Sequence, residues 1–404
     1  MSRTVFSGAQ VFDGTGADPY PADVVIEGER IVSVGPAGSV DADATIDVTG
    51  RTLLPGLFDT HVHVVVSNAD IWQLAQRPFS YQFFEAARNL RRTLEAGITT
   101  VRDAGGADLG IRTALEDGLI SGPRSQISLI MLSQTGGHGD GWLPSGDAIH
   151  FVHPHPGLPD GIVDGPDEMR RKVRELQRMG ADVIKVATSG GVLSTRDDPR
   201  RAHFRPDELD VLVTEASAAG IPVMAHAQGA EGIKNAVRAG IRSIEHGIFL
   251  DDEGVELMLE RGTWLVPTLV APQGVLDAAD AGAPLPPAVL DKARSVIDVH
   301  RAAVRRAVEA GVRIAMGTDS GITPHGQNLR ELALMVECGM TPAAALEATT
   351  RSAAELMGLG DLLGTVEAGK QADLVVLEGD PYDFTDYGER VTAVWQAGRQ
   401  TVGA

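Results

Sequence analysis

Cysteine is almost missing from this sequence: Cys338 is the only one in 404 residues. A single thiol forms no intrachain disulfide and no thiolate cluster, so any metal must sit on His, Asp, Glu or a lysine-derived ligand. Aromatic residues are scarce too, at 4 %. Basic residues are outnumbered, with 35 Lys and Arg against 55 Asp and Glu, for a formal net charge of −20. So acidic a surface repels phosphate backbones and anionic lipid, which argues against nucleic-acid and membrane partners. No apolar run reaches the roughly 18 residues of a membrane-spanning helix. The opening MSRTVFSGAQVFDGTG has no basic start followed by an apolar stretch, so the cytoplasm is the expected compartment.

What remains is ordinary globular material, 43 % hydrophobic and 22 % charged, enough for a large core. Residues 3 to 56 read as short strands. RTVFSGAQVFDG, DVVIEGERIVSVGP and ATIDVTGRTLLPG alternate with period two and are punctuated by Gly and Pro. The C-terminal GTVEAGKQADLVVLEGDP and TAVWQAGRQTV have the same style. Neither end is long enough to bury a core alone. One small β-sandwich domain built from residues 1–56 and 362–404 is the simplest arrangement.

Residues 57–361 repeat a different unit, a short β-branched apolar run followed by a helical run. Eight apolar runs occur: LFDTHVHV, ITTVRDAG, ISLIMLS, DVIKVAT, IPVMAHA, IRSIEHG, TWLVPTL and VRIAMGTDS. Helical patterns such as EMRRKVRELQRMG and AEGIKNAVRAG follow most of them and end on Gly, a usual helix stop. Strand alternating with helix implies parallel strands, and eight units predict an α/β fold of the closed (β/α)8 TIM-barrel type. A Gly-, Pro-, Asp- and His-rich insert from Gly136 to about Pro166 interrupts the third unit. Loops that long are usually functional or disordered.

Catalytic residues of such barrels stand at the C-terminal ends of strands. The first run ends with His61 and His63, the fourth with Lys185, the fifth with His226, the sixth with His246 and the eighth with Asp319. Residues two apart on a strand share a face, so His61 and His63 can bind one metal together. Alone they would equally suit a hydrogen-bonded core pair. With His226, His246 and Asp319 they point to a metal centre. Lys185 lies in a run that should be buried, where an ammonium is costly. A neutral amine there can take up carbon dioxide as a carbamate, an anionic donor able to bridge two metals. The alternative is a lysine paired with Asp103 or Glu245. Ser189, Gly190 and Gly191 let backbone approach a ligand closely. Trp72, Phe79, Tyr81, Phe83 and Phe84 follow the first run. They suit a helix packed on the barrel, an apolar pocket or a subunit contact. Arg196, Arg200, Arg201, His203 and Arg205 suit a solvated loop or a carboxylate grip. His150, His153 and His155 suit surface positions or a cap over the site.

LLPGLFDTHVH and AGKQADLVVL resemble the opening and closing motifs of the amidohydrolase superfamily. IKVATSGGVLS, MAHA, SIEHG and MGTDSG are most similar to its binuclear branch of Xaa-Pro dipeptidases and ochratoxin amidases. The resemblance implies that His61 and His63 bind the more buried metal, that carboxylated Lys185 bridges both, and that His226 and His246 bind the second. Asp319 would touch the first metal and shuttle protons. His138, in TGGHGD, would face the substrate. Gln228 stands where some dipeptidase relatives keep a tyrosine for the substrate carboxylate, which bears on dipeptide specificity rather than on hydrolysis. A homo-oligomer is also implied.

The activity so implied is hydrolysis of small N-acyl amino acids or dipeptides by a metal-bridging hydroxide. Oxygen and nitrogen ligands suit two Zn²⁺, with Mn²⁺ or Co²⁺ as alternatives. A lactonase or organophosphate hydrolase would use the same centre. An imidazolonepropionase-like cyclic amidase would hold one metal and lack the bridging lysine. A non-catalytic scaffold should have lost ligands, and none is missing here.

Overall fold

The computed structural model describes residues 2–36, 38, 42–150, 152–194 and 196–403. The N-terminal strands are β1 (Arg3–Val11), β2 (Tyr20–Glu27), β3 (Arg30–Gly35), β4 (Ala44–Asp47) and β5 (Arg51–Pro55). Among the described residues eight further strands follow: β6 (Leu57–Val62), β7 (Ile98–Asp103), β8 (Arg124–Ile127), β9 (Met131–Leu132), β10 (Ile184–Ala187), β11 (Val223–Ala227), β12 (Ser243–His246) and β13 (Trp264–Val266). The chain then returns as β14 (Leu374–Glu378), β15 (Val391–Gln396) and β16 (Arg399–Val402).

The two chain ends do build one sheet, in the order β16-β15-β14-β5-β1-β2-β3, with β4 paired to β1. Alternation along its strands gives this unit a core of its own. Phe6, Val11, Val24, Ile26 and Leu53 from the N-terminal strands meet Leu374, Val376 and Trp395 from the C-terminal ones. Phe6 and Trp395 pack edge to face at 4.8 Å. The intervening positions Val375, Leu377 and Val394 belong to the larger core shared with the rest of the chain, so the sheet is apolar on both faces there.

Between the ends the named strands pair in parallel. β6, β7 and β8 form one sheet, and β9, β10, β11, β12 and β13 another. Residues 313–320 connect them: Leu265 N donates to Arg313 O and Ala315 N to Leu265 O on one side, Thr60 N to Met316 O and His63 N to Ser320 O on the other. Three of the eight apolar runs are less regular than their composition suggests. The third breaks into β8 and β9 at Leu129, whose φ is 68°. The seventh stops at Val266, because Pro267 has no N–H to continue the ladder. The eighth makes only isolated bridges, at Ile314 and Ser320.

Among the described residues twelve α-helices accompany the strands: α1 (Ile71–Ala75), α2 (Tyr81–Glu95), α3 (Leu109–Glu116), α4 (Pro166–Arg178), α5 (Pro206–Ala218), α6 (Ala230–Ala239), α7 (Asp252–Arg261), α8 (Val270–Asp280), α9 (Pro287–Ala310), α10 (Arg330–Glu337), α11 (Pro342–Ala348) and α12 (Arg351–Leu356). Left-handed Gly240, Gly262 and Gly311 end α6, α7 and α9. Apolar residues of α4 and α5 pack toward the strands. Val173 and Leu176 of α4 and Leu209 and Leu212 of α5 join the core that holds Ile184 and Val186 of β10. Alternation then sends Lys185, between those two, to the opposite face. Among the described residues no helix is long and apolar enough to cross a membrane.

Candidate metal centre

The opposite face is where the polar residues gather. His61, His63 and Asp319 each offer a ligand atom, and the three atoms lie within 4.8 Å of one another, a group able to hold a metal ion. Asp319 Oδ1 is 3.2 Å from His63 Nε2 and 3.6 Å from His61 Nε2. Lys185 Nζ is 3.4 Å from the same His61 nitrogen. The His246 ring lies 5.1 Å from that of His61 and 4.7 Å from that of His226. The six residues singled out at strand ends are therefore brought together. Two of them hold left-handed backbone, His246 with φ 71° and Asp319 with φ 60°. Such conformations are costly for non-glycine residues and cluster at functional sites.

Each histidine has one ring nitrogen anchored. His61 Nδ1 bonds Glu245 Oε2 at 2.7 Å, and His63 Nδ1 bonds Gly105 O at 2.8 Å. His246 Nδ1 bonds Thr268 Oγ1 at 2.7 Å, and His226 Nε2 bonds Gly190 O at 3.1 Å. Anchoring one nitrogen orients the ring and presents the other, as metal-binding histidines require. Behind His61, Glu245 Oε1 accepts from Arg102 Nη2 at 3.0 Å and from Ser243 Oγ at 2.5 Å. This pair is fully enclosed, with Glu245 and Arg102 at 0 % and 2 % exposure.

Lys185 finds neither suggested partner. Asp103 accepts from the backbone of Val64, Gly105 and Ala107, and Glu245 is engaged as described. Burial lowers the Lys185 amine to about 8, with Glu245 and Asp319 partly opposing the shift. Burial likewise holds His61, His226 and His246 well below the usual imidazole range, reinforced by neighbouring cationic groups. Asp319 is raised by burial, but its bond to His63 and the nearby charges outweigh that and lower it.

His138 joins the group from the long insert. Its ring stacks on His226 at 4.3 Å and 16°, and its Nδ1 bonds Asp197 Oδ2 at 3.0 Å. Ser189, Gly190 and Gly191 are buried beside it, and Ser189 Oγ accepts from Gln228 N at 2.8 Å. Gln228 is buried, and its Oε1 has no partner among the described residues. Of the second loop, Arg196, Arg200, Arg201 and Arg205 are exposed, whereas His203 is buried. The aromatic segment lies elsewhere. Trp72, Phe79, Tyr81 and Phe84 are exposed, and Phe79 and Phe83 meet the His155 ring of the insert at tilted and edge-on angles. His153 bonds Leu74 O.

Arg102, Thr268 and Asp197 are not singled out by the sequence, and Glu245 is singled out only as a possible partner of Lys185. Arg102 and Glu245 carried a usable signal, being charges inside apolar strands. Thr268 and Asp197 lie in loops and carried none.

Parallel strands ending on a His-His-Asp group are the build of a metal-assisted hydrolase. The chain belongs to the amidohydrolase family, whose model matches residues 52–401. It is 36 % identical to ochratoxinase of Aspergillus niger over 418 residues, covering 98 % of this chain and 86 % of that one. The crystal structure of a Xaa-Pro dipeptidase with methionine bound in its active site superposes with a TM-score of 0.90 at 35 % identity, covering 100 % of both chains. That of a prolidase complexed with N-methylphosphonate-L-proline gives 0.91 at 37 %, also over 100 % of both. The protein is accordingly a hydrolase acting on C–N bonds.

Proposed function

We propose that this protein is a binuclear metal-dependent amidase or dipeptidase that cleaves small N-acyl amino acids or dipeptides. The observation that carries the reading is the shared arrangement of the four histidines, each anchored through one ring nitrogen around Lys185 and Asp319. This all-nitrogen and oxygen donor set fits two ions such as Zn²⁺, Mn²⁺ or Co²⁺. In the proposal the strands form a closed (β/α)8 barrel over residues 57–361. The end sheet is a β-sandwich domain of residues 1–56 and 362–404. A homo-oligomer in the cytoplasm belongs to the same reading.

Divalent ions bound there supply Lewis acidity and make water acidic enough to attack near neutral pH. The chain supplies the rest. Lys185, enclosed and without a carboxylate partner among the described residues, adds its amine nitrogen to carbon dioxide. A C–N bond forms as one C=O π bond of carbon dioxide opens, the amine loses one proton to solvent, and the carbamate oxygens would serve as ligands. His61 and His63 would hold one ion, and His226 and His246 the other. Asp319 takes the proton of the attacking water and delivers it to the leaving nitrogen, because an amine departs only once protonated. His138 faces the carbonyl or the substrate carboxylate, and Gln228, Ser189, Gly190 and Gly191 line the same space.

The test is a turnover panel on metal-replete enzyme: N-acyl amino acids, Xaa-Pro dipeptides, lactones and phosphotriesters. Amide turnover above the others is expected. Lactone or phosphotriester turnover without amide cleavage would replace the reading.

A further inference from the structure

The surroundings of His138 point beyond the centre itself, given the reading of His138 as substrate-facing. Lys292 lies on α9, on the far side of the loop after β10. Its ammonium donates to Gly191 O at 3.1 Å, Ser194 O at 2.7 Å and Asp197 O at 2.6 Å. It also lies 3.5 Å from Asp197 Oδ1. Three carbonyls match the three N–H donors of a lysine, so the side chain gathers the loop at three points. The Asp197 carboxylate thus placed is 2 % exposed. Its Oδ2 accepts from Gly191 N at 2.9 Å and from His138 Nδ1 at 3.0 Å. The loop is pressed against the imidazole, since a Cβ added to Gly191 would lie 2.2 Å from His138 Cε1. One carboxylate oxygen therefore joins the loop to the ring, and the ring has no other hydrogen-bond partner among the described residues.

We propose that Lys292 is a positioning residue for hydrolysis. It clamps Gly191, Ser194 and Asp197, and the Asp197 carboxylate then orients His138 over His226. With Nδ1 committed to Asp197, Nε2 is the ring atom left for the substrate. A clamp that only stabilised the loop would act on folding, whereas this one acts on the chemical step through His138.

The experiment uses metal-replete full-length enzyme with N-benzoyl-L-phenylalanine and alanyl-proline as probes. Lys292→Cys should lower kcat roughly a hundredfold, as a displaced catalytic group does, with KM and metal content unchanged. Alkylation with 2-bromoethylamine rebuilds a lysine-like ammonium there and should restore kcat; Cys338, the native thiol, is buried. In a His138→Ala background Lys292→Cys should add little, because the two act as one unit. Equal losses in both backgrounds, or a change in KM alone, would overturn the proposal. Asp197→Asn, which leaves the lysine clamp in place, should reproduce the kcat loss should Lys292→Cys fail to fold. Nitrogen NMR of ¹⁵N-histidine-labelled Zn²⁺ protein decides the same point without turnover. The His138 signal, identified by its loss in His138→Ala, should report an Nδ1–H tautomer that shifts in Lys292→Cys or Asp197→Asn. An unshifted signal contradicts the clamp. Absence of amide turnover by wild type with a shifted signal would discard the substrate reading alone.

Discussion

Replacing Arg102 by Met tests how the centre is held from behind. The guanidinium donates through Nε to Thr60 O at 2.7 Å, through Nη1 to Ser243 Oγ at 3.2 Å and through Nη2 to Glu245 Oε1 at 3.0 Å. Methionine fills much of that volume but leaves the Glu245 carboxylate enclosed without its counter-charge. Breaking a buried pair in this way costs about 3–5 kcal/mol, or roughly 10²–10⁴ in the unfolding constant. Removing both charges avoids most of that cost. Arg102→Met/Glu245→Gln should therefore be more stable than Arg102→Met, although it carries one substitution more. The assay is equilibrium urea unfolding of metal-free protein followed by circular dichroism, for wild type, both single variants and the double. Glu245→Gln and the double should also bind metal about 10–100-fold more weakly, since the bond to His61 Nδ1 loses its charge. A loss under about 1 kcal/mol for Arg102→Met, or a double variant equal to the sum of the singles, would refute the reasoning.

Three other outcomes are expected. Asp319→Asn should retain the far-ultraviolet dichroism of wild type and lose roughly 10²–10⁴ in kcat, the share of a positioned proton carrier; near wild-type turnover would remove the shuttle role. Gly191→Ala should lower kcat by about tenfold or more, because its Cβ would displace the His138 ring; steady-state kinetics with unchanged metal content checks this. The enclosed Glu331 carboxyl accepts from Leu269 N and Val270 N, and burial pushes it up to about 8. The native state then keeps this proton while the unfolded chain ionises near its ordinary value. Wild type should lose stability relative to Glu331→Gln as pH rises from about 5 to about 8, with no further change above that. Urea midpoints measured across that range test it, and a difference independent of pH would count against it.

Strand-end reading works because chemistry-bearing residues interrupt apolar runs. His61, Lys185, His226 and His246 stand out for that reason, and the structure gathers them. The same signal marks Arg102 and Glu245, but a run of letters does not say which charges meet across strands. Alternation even misleads at β12. Neighbours Glu245 and His246 should face opposite ways, yet the left-handed backbone of His246 lets both reach the His61 ring region. Turn conformations of this kind also end the seventh run, where Pro267 and Thr268, with φ 51°, place the hydroxyl that anchors His246. His138, Asp197 and Lys292 come from an insert, a loop and a helix far apart in the chain. Their meeting is a property of packing and not of any local pattern. The chain ends were legible because their period-two alternation predicts strands, and too few residues at either end could bury a core alone.

The most direct test of the central claim is metal content per chain, by elemental analysis of wild type and Lys185→Ala side by side. The account predicts about two divalent ions per wild-type chain and a clear fall in the variant. One ion in both proteins would contradict it, making Lys185 a structural residue and the centre mononuclear.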